Sequence, residues 1–200
     1  MDKTVLIEVL QFLADSKISL GDQLVEEGVS APELTSALSA VAMAQAELGH
    51  ARHLYNWSAS LSNQEVEIPQ EATTGLQAMR ENRNWIDLMV SVFMVNTTAR
   101  LILQALRDRD VPEVLAKTGK MLREVEEHIT FASEWCKRFA LETGAIPRLF
   151  RESVQRQGQE ALDWLAGVDQ RGFGGSSLEL ASACQKEMDL LCVTPVAEQV

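Results

Sequence analysis

The chain has 200 residues, of which 46% are hydrophobic and 24% charged, enough for one domain with a sizeable core. Its formal net charge is −11, which argues against a basic surface for nucleic acid. The three cysteines, Cys136, Cys184 and Cys192, are odd in number and form no CxxC pair, so neither a disulfide framework nor a zinc site is expected and the thiols read as reduced and cytoplasmic.

The apolar period is close to 3.6 along nearly the whole chain, and no strand-like alternation persists. The N-terminal stretch MDKTVLIEVLQFLADSK has acids inside its apolar pattern and no small-residue cleavage site, so it does not read as a signal peptide. A first helix is expected over 4–27, stopping at Gly28, and a second over 32–61 behind the start signal Ser30-Ala31-Pro32. Residues 62–84 are polar and contain Pro69, which predicts a loop with a helical turn. A third helix is expected over 85–107. A fourth over 112–142 has Pro112 in its first turn and Gly144 beyond its end. A fifth is expected over 147–165 and a short sixth over 177–191, with a flexible turn at 172–175 that lacks the spacing of a phosphate loop. No uninterrupted apolar run reaches the length of a membrane span. The expectation is an all-α single domain over 1–200, with an antiparallel bundle over about 4–143 and C-terminal helices over about 147–191.

Each bundle helix has a buried stripe, and each stripe is interrupted by polar residues. Helix one reads Leu6, Leu10, Leu13, Lys17, Leu20, Leu24; helix two reads Ala40, Met43, Glu47, His50, Leu54, Trp57. Helix three reads Met89, Phe93, Asn96, Arg100, Leu103; helix four reads Met121, Val125, His128, Ala132, Trp135, Phe139. Counting back from the turns puts Lys17 level with Glu47, and Asn96 level with Val125 and His128. Polar groups at one height inside a bundle must pair with one another or hold something. A carboxylate-bridged metal pair needs one carboxylate from each of two helices and Glu-x-x-His from the other two. Glu47-Leu-Gly-His50 has that spacing. In helix four His128 is present with Val125 three before it and Glu124 four before it, while Lys17 and Asn96 stand at the carboxylate level. Two readings follow: a buried Lys17–Glu47 salt bridge within a network of Lys17, Glu47, His50, Asn96 and His128, or a single metal on Glu47, His50 and His128. His53 reads as a shoulder or interface residue, Arg100 as the partner of a core or partner-chain carboxylate, and Trp57, Trp135, Phe93 and Phe139 as core. Two of the acids Glu124, Glu126 and Glu127 should face water.

The segments SLGDQLVEEGVSAPEL (19–34), AELGHARHLYNWSASL (46–61) and REVEEHITFASEW (123–135) resemble the phenylacetic acid catabolic protein family, the catalytic and structural subunits of bacterial phenylacetyl-CoA epoxidase. The resemblance implies a ferritin-like four-helix bundle, a homodimer, and a role in coenzyme A-linked aromatic oxidation. The stretch around APEL and LGHAR is most similar to the structural subunit, whereas Glu47-x-x-His50 is more similar to the catalytic one. Of the six ligand positions of the catalytic pattern, Glu47, His50 and His128 match, whereas Lys17, Asn96 and Val125 depart from it. The expectation is a cytoplasmic, non-catalytic accessory subunit without a cofactor, bound to the catalytic subunit of a multicomponent oxygenase, with no nucleic-acid or membrane partner. The alternative is an iron-binding oxidoreductase, a di-iron-type monooxygenase component with a reduced site.

Overall fold

In a computed structural model of the chain, residues 2–66, 68–69, 71–72, 74–109, 112–173 and 179–192 are described, with the side chains of residues 112 and 113 excepted. Asp2 caps the first helix, its carboxylate accepting from the Thr4 N–H at 2.9 Å. This helix, α1, spans Lys3–Glu26. A 3-10 turn, Gly28–Ser30, follows. The second helix, α2, spans Leu34–Ser62 and ends on Asn63, whose φ of 54° is the left-handed cap that asparagine tolerates. It starts two residues later than the sequence implies, because the 3-10 turn and the extended Glu33 carry the chain past Pro32.

The connection 63–84 contains one 3-10 turn, Ala78–Glu81. It then feeds α3, Trp85–Arg107, whose N-cap Asn84 accepts from the Asp87 N–H at 3.0 Å. The fourth helix, α4, spans Pro112–Leu141, and α5 spans Ile146–Gln170. Helix α5 runs five residues beyond its expected end, because Leu165 and Val168 continue the buried stripe up to the Gly172 turn. The last helix, α6, spans Leu180–Cys192; its expected start at Ser177, and Gly174 and Gly175 of the expected turn, lie outside the described residues. The Asp169 carboxylate accepts from the Leu180 and Ala181 N–H groups at 3.1 Å each, tying α6 to α5. The described residues contain no strand.

Helices α1 and α2 pack along one another, and α3 packs along α4, so the bundle is two hairpins laid together. Helices α5 and α6 lie over α3. Phe12 of α1 stacks on Trp164 of α5 at 4.0 Å between ring centroids. The core includes Leu10, Leu13, Leu54, Trp57, Leu88, Phe93 and Leu103, each worth roughly 1.5–3 kcal/mol of apolar burial. Trp135 meets Trp85 edge-on at 5.5 Å and Phe139 at 5.7 Å, so the aromatic set fills the core as expected.

Helix α3 is long and apolar enough to cross a membrane by length and composition alone, although Asp87, Asn96 and Arg100 interrupt its apolar run. In the bundle 83% of its most apolar window is buried, because neighbours cover it on nearly every side. Arg100 leaves this helix toward α6 and pairs with Glu187 at 2.7 Å, a carboxylate supplied by the C-terminal cover rather than by the four-helix core.

Candidate functional site: a buried charge network between four helices

Lys17 and Glu47 come from adjacent turns of the α1–α2 hairpin, and both side chains are fully buried. The Lys17 Nζ lies 2.6 Å from Glu47 Oε2 and donates to Asn96 Oδ1 at 2.7 Å. Asn96 is the hinge of the arrangement. Its Nδ2 donates to Glu47 Oε1 at 2.9 Å and to the Val92 carbonyl at 2.9 Å, so the amide orientation is fixed from both ends. His128 Nδ1 also donates to Glu47 Oε1, at 2.7 Å, which places the ring proton on that nitrogen. One carboxylate thus receives an ammonium, an amide and an imidazole from α1, α3 and α4.

His50 sits one turn along α2 on the same face as Glu47, with its Nε2 turned away from that carboxylate. Its Nε2 lies 2.8 Å from Glu124 Oε2, and Glu124 Oε1 lies 3.3 Å from Lys120 Nζ. The Nδ1 of His50 is buried with no hydrogen bond, 3.8 Å from Glu47 Oε2. The rings of His50 and His128 are 6.2 Å apart. Between α2 and α4 a cavity of about 360 Å³ leads from the surface to His50; His53, Lys117, Lys120, Met121 and Glu124 also line it. His53 therefore stands on the cavity wall. Glu126 and Glu127 face water, and Glu124 does so only in part.

Burial pushes the Glu47 carboxyl upward, but the Lys17 charge, then His128 and His50, outweigh it and hold the group well below the ordinary carboxylate value. Burial also works on Lys17, and there it wins over the attraction of Glu47, so the amine sits below its ordinary value. The carboxylate has three donors to share its charge, whereas the ammonium has one carboxylate and one amide oxygen. The cost of burying this pair therefore falls mainly on the lysine.

The donor set can be compared with what a dinuclear iron centre requires. Glu47-x-x-His50 is complete on α2, but α4 offers Val125, fully buried among apolar neighbours, and α3 offers a neutral amide. Helix α1 offers an ammonium, which has no lone pair and repels a cation. Both oxygens of Glu47 are already engaged, and the pair with Lys17 leaves the core near neutral. Among the described residues no three of His, Cys, Asp or Glu converge as metal ligands. These residues do not fit the dinuclear group.

The family model for the phenylacetic acid catabolic protein matches residues 1–188. The chain belongs to this family. No curated protein matches it. The match runs from α1 through most of α6.

A second buried polar cluster lies directly beside Lys17 in α1, on Asp15 and Ser16, and was not evident from spacing. Asp15 accepts from the Tyr55 hydroxyl, from the Thr74 N–H at 2.7 Å and from the Thr74 hydroxyl at 2.5 Å. Ser16 Oγ accepts from the Leu76 N–H at 3.0 Å. These bonds fasten the connection 63–84 onto α1. The run from Leu13 to Gly21 is consequently buried on all sides, although it reads as an amphipathic helix. A third cluster, Asn82, Ser91 and Gln157, joins the connection to α3 and α5, with Ser91 Oγ 2.7 Å from both the Asn82 amide nitrogen and Gln157 Oε1.

Proposed function

We propose that this phenylacetic acid catabolic protein is a non-catalytic structural subunit of a multicomponent oxygenase that oxidises the ring of an aromatic coenzyme A thioester. Its task in that reading is to bind and position a metal-bearing catalytic subunit of the same family. The observation that carries the proposal is the Lys17 ammonium, 2.6 Å from Glu47 Oε2 and 2.7 Å from Asn96 Oδ1, where a catalytic member needs metal-binding carboxylates. A fixed positive charge there meets the demand of the buried Glu47 that a metal would otherwise meet.

The test is elemental analysis of protein expressed in iron-supplemented medium and purified without chelator, followed by pull-down against a catalytic family member. The expected result is iron, manganese and zinc far below one per chain, and retention of the catalytic partner. About one or two metals per chain, lost on Glu47→Ala or His128→Ala, would overturn the reading and direct attention to oxygen-dependent turnover.

A further inference from the structure

Helices α2 and α4 belong to different hairpins and touch little along their length, and neither α5 nor α6 packs along α2, so the seam between them opens to solvent. The cavity of about 360 Å³ lies in this seam. Its lining is unlike the rest of the surface. The chain carries a net charge of −11, yet the Lys, Arg, Asp and Glu side chains that line the cavity are Lys117, Lys120 and Glu124, two cations against one acid. A concave wall of one sign concentrates the field at its opening. Around these charges the lining is small and apolar: Ala46, Gly49, Ala116 and Met121. Nothing stands within 4 Å of a Cβ built at Gly49, so the open space reaches the α2 backbone.

Two imidazoles complete the wall. His53 Nε2 is buried and makes no hydrogen bond, a state that buried polar atoms rarely keep without a ligand or water to meet them. Burial first, and the Lys117 charge with it, outweigh a hydrogen bond to the Lys117 backbone and hold the His53 ring below the ordinary histidine value. An anion in the cavity would offset that charge and meet the ring. His50 already has its acceptor, because Glu124 Oε2 lies 2.8 Å from its Nε2. The Lys120 side chain is 81% exposed, so its ammonium can leave Glu124 Oε1, 3.3 Å away, and turn over the opening.

We propose that this cavity is a binding site for a small organic monocarboxylate, its charged end held by Lys117, Lys120 and the His53 ring and its apolar body lying against Ala46, Gly49 and Met121. The charge count selects a monoanion, since two lysines against one glutamate leave one positive charge to balance. A phosphate ester, at about −1.5 to −2 near pH 7, would leave a negative charge uncompensated over a largely apolar lining. A cation would meet two ammonium groups. The cavity holds on the order of a dozen non-hydrogen atoms at roughly 30 Å³ each, so it suits an acid of about four to eight carbons. The proposal stands apart from the accessory-subunit reading, since neither metal content nor a catalytic partner enters it.

The test follows the histidine ring protons by NMR in the full chain while hexanoate, acetate or inorganic phosphate is added at constant ionic strength. The chain has three histidines, so His53→Gln assigns the signal of interest. The expected result is a saturating shift of the His53 signal with hexanoate, at a Kd below about 1 mM. Acetate, which lacks the apolar body, should bind at least about tenfold more weakly, and phosphate more weakly than hexanoate. Gly49→Leu fills the cavity from its open side and should abolish saturation while leaving the helical circular dichroism unchanged. Lys120→Glu, on an exposed side chain, should weaken hexanoate at least about tenfold and gives an independent reading if Gly49→Leu loses helix. No saturating shift with hexanoate up to about 10 mM, acetate or phosphate binding as tightly as hexanoate, or hexanoate binding indifferent to both substitutions would overturn the proposal.

Discussion

Replacing Lys17 by methionine tests the central network most directly, because the two side chains have similar length and only the charge is removed. Glu47 would remain fully buried, with Asn96 and His128 still donating to it but no cation within reach. Breaking one partner of a buried pair costs about 3–5 kcal/mol. The two surviving hydrogen bonds place the expected loss near the lower end, about 3 kcal/mol. For a chain of this size that corresponds to a melting temperature lowered by about 6–12 °C. Glu47→Gln should cost a similar amount, since it strands the ammonium. The double variant Lys17→Met/Glu47→Gln should lose less than the sum of the singles by about 2 kcal/mol, because neither charge is then left alone. Urea unfolding followed by circular dichroism measures all three. Strictly additive losses, or a Lys17→Met variant as stable as the wild type, would refute the reasoning.

Acid should unfold the protein through the same group. Glu47 is held well below its ordinary value of 4.5, so its contribution is fully present above that value and is lost as the pH falls toward the folded pKa; Glu47→Gln should flatten this part of an acid-unfolding curve. Gly75→Ala should destabilise the chain by roughly 2 kcal/mol or more in urea titration, because Gly75 has a φ of 83° and its Cβ would lie 2.6 Å from the Ser16 backbone nitrogen. Gln157→Ala should cost about 1–3 kcal/mol by the same assay, since Ser91 and Asn82 lose their buried partner. One thiol per native chain should react with a disulfide reagent, at the exposed Cys192, while Cys184 is buried and pushed up to about 12 and Cys136 is buried with its thiol pushed up as well; three fast thiols would contradict this burial.

The bundle was legible because its stripes are regular, and a regular stripe fixes which face turns inward. The approach of Lys17 to Glu47 followed from counting residues to the hairpin turn, since antiparallel helices of equal rise keep level. Asn96 and His128 followed in the same way from the second hairpin. What spacing could not supply was anything determined by the connection between the hairpins. Nothing in the period of α1 marks Asp15 as the anchor of Thr74, because that bond depends on where a loop lies rather than on a repeat. Its one sequence signal is the run of three consecutive polar residues, Asp15, Ser16 and Lys17, in the middle of α1. Arg100 shows the same limit: its stripe position was clear, but Glu187 lies on a helix whose placement over α3 no local pattern fixes. The sequence reading ends α5 at residue 165, whereas packing of the buried Val168 carries the helix on to Gln170.

A charge carried on a side chain has a consequence for how the bundle is made. An ion that stabilises a fold does so by mass action, so the folded fraction rises and falls with the concentration of free ion. The Lys17 ammonium arrives with the chain, at unit stoichiometry and at no cost in encounter. It turns what would be a bimolecular equilibrium into an internal one, so the stability this charge gives the bundle is set by pH alone and is the same for the first molecule synthesised as for the last.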